Sequence, residues 1–432
     1  MQNRLRGWRL CAPALAVWLI TGAAKAAPSP TDDTTLIALP AVLGRTLERN
    51  PDLATYPHRL RAADAAVLQA GLRPQAELSV EVENLAGDAP ADGVNGAEIT
   101  LALSQMIELG GKRQQRTDVA SLALDSERLA YDQARLEVLG DAVRRYIALA
   151  AAQARVNLAE RTQALAGQAE QAARRRVRAG AAPDSELTRL TLATRQAEIE
   201  RRRAEVERDA ASQQLAALWG ETDAAHLRPA TGLRPLPDLP PLARIRTQLA
   251  QAPDLLRLAS DTRLREAQAR LAQAEGRRDV TVSLGARHAR LSDENTLLLG
   301  VSTPLNLRNP NRGNVVRAEA ALAESQARLA ARRIELTAAL EALYRSLSLL
   351  REELALIDDT ALPLARDLYR DIEAGYSAGR YSLLTLINAR QEQLALEQRA
   401  IDLAARFHQQ RNELERLTGL DFADAGAQEN TP

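Results

Sequence analysis

Residues 75–84 read QAELSVEVEN and residues 96–105 read GAEITLALSQ, and both segments alternate strictly between apolar and polar side chains. The same alternation returns in residues 280–286 and 297–301. A period of two over such a segment predicts a β-strand with one apolar face. About 9–11 residues is also the length of a membrane-spanning strand. The sequence therefore predicts four short strands, each with one apolar face.

Four strands are too few to enclose a pore, so they must either pack on a soluble core or combine with the strands of other chains. No other segment offers a partner core, which favours combination. Three copies would supply twelve strands, an even number within the range of outer-membrane barrels. Lipid also requires a closed barrel, because an open sheet edge leaves backbone groups unpaired. A soluble β-sandwich lid on a helical stalk is the alternative.

The polar faces of these strands are expected to line a lumen if the apolar faces meet lipid. The first two strands place four carboxylates there: Glu77, Glu81, Glu83 and Glu98. Three copies would bring about twelve carboxylates inside, an arrangement that favours cations. Arg287 and Arg290 could offset this charge, and that alternative stays open.

Two very long helices are predicted at about 112–178 and about 313–376. At 1.5 Å rise per residue, each extends close to ~100 Å. The second has a heptad seam at Leu340, Leu343, Leu347, Leu350, Leu354, Ile357, Ala361, Leu364 and Leu368. The first has a shorter seam at Leu136, Leu139, Val143, Tyr146 and Ala150. A repeat of 3.5 residues predicts lengthwise coiled-coil packing. A plain coiled-coil rod would explain the helices alone, but not the strands.

The sequence contains an internal repeat, because three short motifs return in the same order about 200 residues later. The pairs are NPDL at 50–53 and APDL at 252–255, RAG at 178–180 and SAG at 377–379, and LWG at 218–220 and LTG at 417–419. Coincidence within an Ala- and Leu-rich chain is the alternative. We interpret the spacing as a duplicated architectural unit, in which a Gly-containing turn joins each long helix to a returning helix.

The expected organisation starts with a signal peptide at 1–26, in which three arginines precede an apolar run and an Ala24-Lys25-Ala26 cleavage site. A membrane anchor is the alternative for this stretch. Cys11 precedes the apolar run, so the mature chain is expected to lack cysteine. The remaining unit, 27–432, is expected to divide into repeat one at 34–227, a Pro-rich connector at 228–241, repeat two at 242–420 and a tail at 421–432.

The segment at 103–113, LSQMIELGGKR, resembles the strand-to-helix junction of the TolC-like outer-membrane efflux proteins. Its IELGGKR form is most like the heavy-metal branch of that family, the cobalt-zinc-cadmium type. The family usually has Pro where Met106 stands, and the second repeat retains it at Pro304. Gly110 and Gly111 suit a hinge where a strand turns into a helix, because glycine lacks Cβ constraints.

The resemblance implies a fold that is mainly α with a small β part. Each chain would contribute a duplicated set of long helices to an α-barrel and four strands to a trimeric 12-stranded transmembrane β-barrel. It further implies a homotrimer in outer-membrane lipid that extends into the periplasm. Its partners would be a periplasmic adaptor protein and an inner-membrane pump of the resistance-nodulation-division type. The function implied is a passive exit duct for heavy-metal cations.

The resemblance also places the turns at Gly180 and Gly379 at the periplasmic tip, where the family narrows its aperture. Glu186 matches an acidic position of that aperture and Tyr376 matches its tyrosine. As the alternative, Glu186 favours a helix N-terminus through the helix dipole.

Other aperture positions depart from the family pattern. The arginine position falls on Tyr381, next to Arg380, and two later aspartate positions fall on Thr385 and Asn388. The latch of the family is therefore only partly present, which predicts a different or more weakly held constriction.

Several other classes of function find no support in the sequence. With 56 basic and 56 acidic residues, the chain has no electrostatic signature of nucleic-acid binding. The four histidines are far apart, and no pattern suggests a catalytic, cofactor-binding or metal-binding site. We therefore expect no enzyme and no cofactor. Two alternatives to metal efflux remain: a duct for organic toxins or type I protein secretion, and a periplasmic coiled-coil structural protein.

Overall fold

The computed structural model describes residues 35–85, 96–222, 224–305 and 311–419, and these residues are mainly helical. The helices are α1 (Leu39–Arg49), α2 (Tyr56–Ala70), α3 (Lys112–Arg178), α4 (Asp184–Ala216), α5 (Leu242–Gln248), α6 (Pro253–Glu275), α7 (Arg312–Leu356), α8 (Leu362–Ser377) and α9 (Leu383–Thr418). The strands are β1 (Thr35–Ile37), β2 (Glu77–Glu83), β3 (Glu98–Ile107), β4 (Leu227–Pro229), β5 (Val280–Ala289) and β6 (Glu294–Ser302). The expected signal peptide and C-terminal tail lie outside the described residues.

The four predicted strands form one antiparallel sheet in the order β2-β3-β5-β6. One cross-strand row aligns Leu78 with Leu103, Leu284 and Leu299, so the apolar alternation of all four strands falls on the same face. That face is exposed along the chain, at Leu78, Val80, Val82, Ile99, Leu101, Leu103, Leu284, Leu297, Leu299 and Val301. Within the described residues, β2 and β6 are paired on one side only. The prediction of four strands with one apolar face is confirmed.

The helices continue the order of the strands. Helix α2 leads into β2, β3 into α3, α6 into β5 and β6 into α7. The helices next to the sheet therefore lie in the spatial order α2-α3-α6-α7, and neighbours in this order pack together. Farther from the sheet, α4 packs on α3, α3 on α9, and α9 on both α7 and α8. In the sheet, next to it and farther from it, four elements lie side by side, so the chain forms a slab four elements wide.

The helix α3 has 67 residues and the bounds that the sequence predicts. The second long helix differs, because a π-helical segment at Ile357–Ala361 separates α7 from α8. A π turn holds an extra residue and rotates everything after it, and Pro363 has no N–H to continue the regular pattern. The predicted seam is buried at Leu340, Leu347, Leu350, Leu354 and Ile357, but Leu364 and Leu368 are exposed. After the π segment, the buried positions of α8 are Leu362, Ala365, Ile372, Gly375 and Tyr376.

The repeated motifs contact each other inside each half of the chain. The Asn50 side chain donates a hydrogen bond to the Leu218 carbonyl over 2.9 Å and accepts from the backbone N–H of Leu53. In the second half, Gly419 lies against Pro253, and a Cβ there would lie 3.3 Å from the proline ring. These matching contacts support the proposed division into two repeats.

Helix α1 has apolar residues at helical spacing (Leu39, Val42, Leu43 and Leu47), whereas the three-residue strands β1 and β4 are too short to show a period. The sequence analysis did not predict α1, nor the parallel pair formed by β1 and β4. Together they cover a core cluster that contains Val42, Leu149 and Trp219. Among the described residues, no helix has an apolar stretch long enough to cross a bilayer.

The hinge prediction can be tested at Gly110, whose φ is +80° and where a Cβ would lie 2.4 Å from Cδ of Arg277. Replacing Gly110 with Val should destabilise the protein by about 1–3 kcal/mol from backbone strain alone, with further cost from displacing Arg277. Gly167→Ala is the control, because it lies in α3 with open space around it. Melting temperatures from circular dichroism in detergent would measure both. An unchanged melting temperature for Gly110→Val would contradict the hinge.

Candidate functional site

The two Gly turns have the same backbone geometry. At the end of α3, Gly180 has φ +69° and Ala181 donates its N–H to the Arg176 carbonyl over 2.9 Å. At the end of α8, Gly379 has φ +76° and Arg380 donates to the Gly375 carbonyl over 2.8 Å. Both are Schellman ends, which require the left-handed conformation that glycine adopts at little cost. Each turn sends the chain back as the next long helix, as predicted.

A cluster of three side chains joins the two turns. The Tyr376 hydroxyl donates a hydrogen bond to a Glu186 carboxylate oxygen. Arg176 lies 3.5 Å from the same carboxylate, and its guanidinium lies 4.6 Å from the centre of the Tyr376 ring. The contact therefore links α4 of the first half to α8 of the second half through a charge-assisted hydrogen bond and a cation–π pair.

Burial and the Glu186 carboxylate act together on the tyrosine. Desolvation is the largest cause, followed by the hydrogen bond to Glu186 and its negative charge, and together they raise the pKa of Tyr376 to about 12. The nearby Arg176 opposes this shift. Tyr376 is therefore a neutral donor at physiological pH, and Glu186 is its acceptor.

The other predicted tip residues lie outside this cluster. The Tyr381 ring packs over Gly375, where a Cβ would lie 2.3 Å from the ring. The backbone N–H of Thr385 donates to Ser382, which caps α9. The side chains of Arg380 and Asn388 are exposed. Within the described residues, the structure brings Glu186 and Tyr376 together but does not add these four residues to the contact.

The glycine junction is held by two ion pairs, one of which crosses to the second half of the chain. Lys112 lies 2.7 Å from Asp279, which also accepts the backbone N–H of Leu109 over 3.0 Å. Glu108 pairs with Arg116, whose other nitrogen lies 3.0 Å from the second carboxylate oxygen. The charged residues of the junction motif thus fix the first long helix to the base of β5.

The polar face of the sheet is less acidic than its carboxylates alone suggest. Arg287 lies 2.8 Å from Glu83 and 3.0 Å from Glu98, and it also donates to Thr100. Glu77 and Glu81 are exposed on the same face. Arg287 therefore offsets part of the negative charge, which leaves cation selectivity as a hypothesis. Among the described residues, no group of His, Cys, Asp and Glu side chains is arranged to hold a metal ion.

Sequence reasoning named Arg287 as an offset to the strand carboxylates, but it missed Arg176 and Asp279. Arg176 contacts Glu186 of its own half and the Tyr376 ring of the other half, and the double pairing of Arg287 depends on strand register. Asp279 had the clearest signal, because it directly precedes β5 at a strand-to-helix junction.

The slab of long helices, continued by a sheet with one exposed apolar face, defines a channel-forming class of protein. A family model described as outer membrane efflux protein matches residues 42–221 and 245–420. The chain therefore belongs to the outer membrane efflux protein family. The predicted family, the fold class and the role as an efflux component are confirmed.

Individual relatives agree with this assignment. The chain is 25% identical to the cobalt-zinc-cadmium resistance protein CzcC of Cupriavidus metallidurans, over 92% of this chain and 94% of that one. It is 27% identical to the nickel-cobalt-cadmium resistance protein NccC of Alcaligenes xylosoxydans xylosoxydans, over 76% and 73% of the two chains. A crystal structure of a membrane protein from Pseudomonas aeruginosa superposes with a TM-score of 0.75 at 20% identity, covering 88% and 90%.

The contact at the tip predicts a change in tyrosine titration. Glu186→Gln removes the negative charge, so the pKa of Tyr376 should fall below about 12, while burial keeps it above its ordinary value of 10.0. Because folding raises this pKa, the contact stabilises the fold fully below pH 10 and loses its effect as the pH rises through about 12. Tyrosinate absorbance, measured as the difference from a Tyr376→Phe variant, reports the pKa.

Asp184→Asn is the matched control for this titration. Asp184 lies in the same first turn of α4, but its side chain is exposed. The control should titrate like the parent protein. Identical curves for Glu186→Gln and the parent would contradict the hydrogen bond between Glu186 and Tyr376.

Proposed function

We propose that three copies of this chain form a closed ring in the outer membrane and serve as the passive exit duct of an efflux system. The observation that carries the proposal is the open slab four elements wide. Its sheet exposes a continuous apolar face and ends at two strands, β2 and β6, that are paired on one side only within the described residues. Twelve strands from three copies would close the barrel, in the range of outer-membrane barrels.

The helical part offers matching edges for the same ring. On α4, at one edge of the slab, Leu192, Ile199 and Val206 recur every seven residues and are more than half exposed. On α7, at the other edge, Leu349 and Leu356 repeat the same spacing and exposure. Apolar residues at heptad spacing suit lengthwise helix packing. Joining α4 of one copy to α7 and α8 of the next would cover both stripes and continue the barrel as a tunnel.

The far end of this tunnel would be narrowed at the Gly turns. There, the Arg176–Glu186–Tyr376 cluster holds the first and second repeats together within one chain. Breaking it would release α8 from α4 and widen the tip. We assign Gly180, Gly379, Arg380, Tyr381, Thr385 and Asn388 to the surface around this aperture, without a direct part in the latch.

Heavy-metal cations are the proposed cargo, on the strength of the resistance proteins that the chain resembles. The duct itself would neither bind the metal tightly nor do chemistry on it. Glu77 and Glu81 would give the barrel lumen a mild preference for cations, since Arg287 occupies Glu83 and Glu98.

An energy source must lie elsewhere, because the chain offers only a path. We propose a periplasmic adaptor protein and an inner-membrane pump of the resistance-nodulation-division type as the partners. A groove with a cavity volume of about 740 Å³ runs over α3 between α4 and α9. Leu165, Leu190 and Leu394 lie along it. Its width, set by three neighbouring helices, suits a helix of the adaptor.

A strain without this protein should lose resistance to cobalt, zinc or cadmium while its tolerance of organic dyes stays unchanged. The gene on a plasmid should restore growth. The variant Leu101→Lys should not, because a charge on the lipid-facing side costs about 2–4 kcal/mol at mid-bilayer. Glu81→Lys, with the same new side chain on the polar face, is the control and should restore growth in part or in full.

Growth on metal plates measures this outcome, and fractionation shows whether each variant reaches the outer membrane. Loss of dye tolerance with normal metal resistance would reject the proposed cargo. Full function of Leu101→Lys would reject the orientation of the sheet in lipid.

A further inference from the structure

Each of the four junctions between a strand and its helix presents an exposed arginine. Arg73 lies between α2 and β2, Arg113 at the start of α3, Arg277 between α6 and β5, and Arg312 at the start of α7. None of the four forms an ion pair within the described residues. All four lie at the same end of the sheet, since the strands are antiparallel and all junctions are at the end opposite the β5–β6 turn.

The helices that begin at these junctions add positive charge there, whereas α2 and α6 end at the junctions and place the negative ends of their dipoles there. Helices α3 and α7 both begin here, neither has a side-chain cap, and neither has an acidic residue in its first turn. A helix N-terminus has a partial positive charge and favours anions. Basic residues at such an end are electrostatically unfavourable unless an anion lies nearby.

The acidic residues of this region offset only part of the charge. Glu108 is occupied by Arg116 and Asp279 by Lys112. Glu275, at the end of α6, and Glu77, the first residue of β2, are the exposed carboxylates that remain among the described residues of the junctions. The four arginines therefore exceed the available negative charge, since the N-termini of α3 and α7 are balanced by the C-termini of α2 and α6.

The neighbouring side chains indicate which anion fits. Leu72, Met106, Ile107, Leu109 and Leu305 are exposed at the same junctions. Residues 72–111 and 277–312 contain no Trp, Tyr or Phe. Outer-membrane barrels usually have aromatic girdles at the two edges of their apolar band. This sheet must be anchored at its edge by something else, and arginine can place an apolar stem in lipid and its guanidinium at the headgroup.

We propose that Arg73, Arg113, Arg277 and Arg312 form an arginine girdle that binds the phosphates of anionic phospholipids in the periplasmic leaflet. The proposal rests on the proposed function, because that function places the apolar face of the sheet in the bilayer. In the ring of three copies, twelve arginines encircle the barrel at the level where the strands become helices. Each guanidinium can donate two parallel hydrogen bonds to one phosphate.

The test uses the full-length protein, purified in a non-ionic detergent and mixed with dioleoylphosphatidylglycerol. This lipid should raise the melting temperature of the parent protein more than dioleoylphosphatidylcholine does. The variant with all four arginines changed to glutamine should bind phosphatidylglycerol at least about tenfold more weakly, since each arginine near an anionic surface contributes roughly fivefold in affinity. If the fourfold variant does not fold, the double variants Arg73→Gln/Arg312→Gln and Arg113→Gln/Arg277→Gln replace it. Each of them should also bind phosphatidylglycerol more weakly than the parent protein.

The matched control changes Arg189, Arg257, Arg263 and Arg333 to glutamine. These residues are exposed on helices outside the junctions, so the control has the same change in charge. It should keep the response to phosphatidylglycerol. An equal response of the girdle variant and the control would overturn the proposal, and so would an equal stabilisation by inorganic phosphate alone.

Reversal potentials in planar bilayers complete the test, because they show whether the arginines face the lumen. The girdle variant should have the ion selectivity of the parent. A shift toward cations would place the arginines in the lumen and overturn the proposal. If the parent protein forms no channel at all, the proposed function fails. The measurements of lipid binding test the arginine girdle separately from that outcome.

Discussion

The structure depends on one constraint: a four-stranded sheet with an exposed apolar face cannot satisfy its own edge strands. The backbone groups of β2 and β6 that face outward need hydrogen-bond partners, and lipid offers none. A second sheet could cover the apolar face, but the other strands among the described residues are the three-residue β1 and β4. Closure through identical chains satisfies the edges and the apolar face together, and the order of the strands then fixes the order of the helices.

The junctions transmit that order from sheet to helices. The four-residue join between β3 and α3 uses two consecutive left-handed residues, Gly110 and Gly111. The Lys112–Asp279 pair then fixes the first repeat to the second at the same level. At the opposite end, Glu186 and Tyr376 join the two halves of the chain where the helices turn back. The two halves of the chain are thus connected at both ends of the slab.

Sequence patterns predicted most of this architecture, because period two and the Gly turns are local signals. The bounds of α3 followed from Gly111 and Gly180, which end the helical pattern at both sides. The π segment at Ile357–Ala361 was missed, since one extra residue leaves the heptad intact in sequence while it rotates the helix. Arg176 was missed for another reason: its partners, Glu186 and Tyr376, lie on other elements, and only the folded chain brings the three together. Arg287 was named as an offset to the carboxylates, but its pairing with both Glu83 and Glu98 follows from the strand register. The resemblance named Glu186 and Tyr376, but the family latch does not extend to Arg380 or Thr385.

The central claim is that β2 of one chain pairs with β6 of the next, and disulfide crosslinking tests it most directly. The only cysteine, Cys11, lies in the expected signal peptide. Any disulfide in the mature protein must therefore come from the introduced cysteines, one at Val80 and one at Leu297, Leu299 or Val301. Within one chain, three strand spacings of about 4.8 Å separate these positions, too far for a disulfide. The account predicts that at least one pair forms disulfide-linked dimers and trimers, and nothing larger, on a non-reducing gel of outer membranes. Monomers alone for every pair, or an open ladder beyond the trimer, would contradict it.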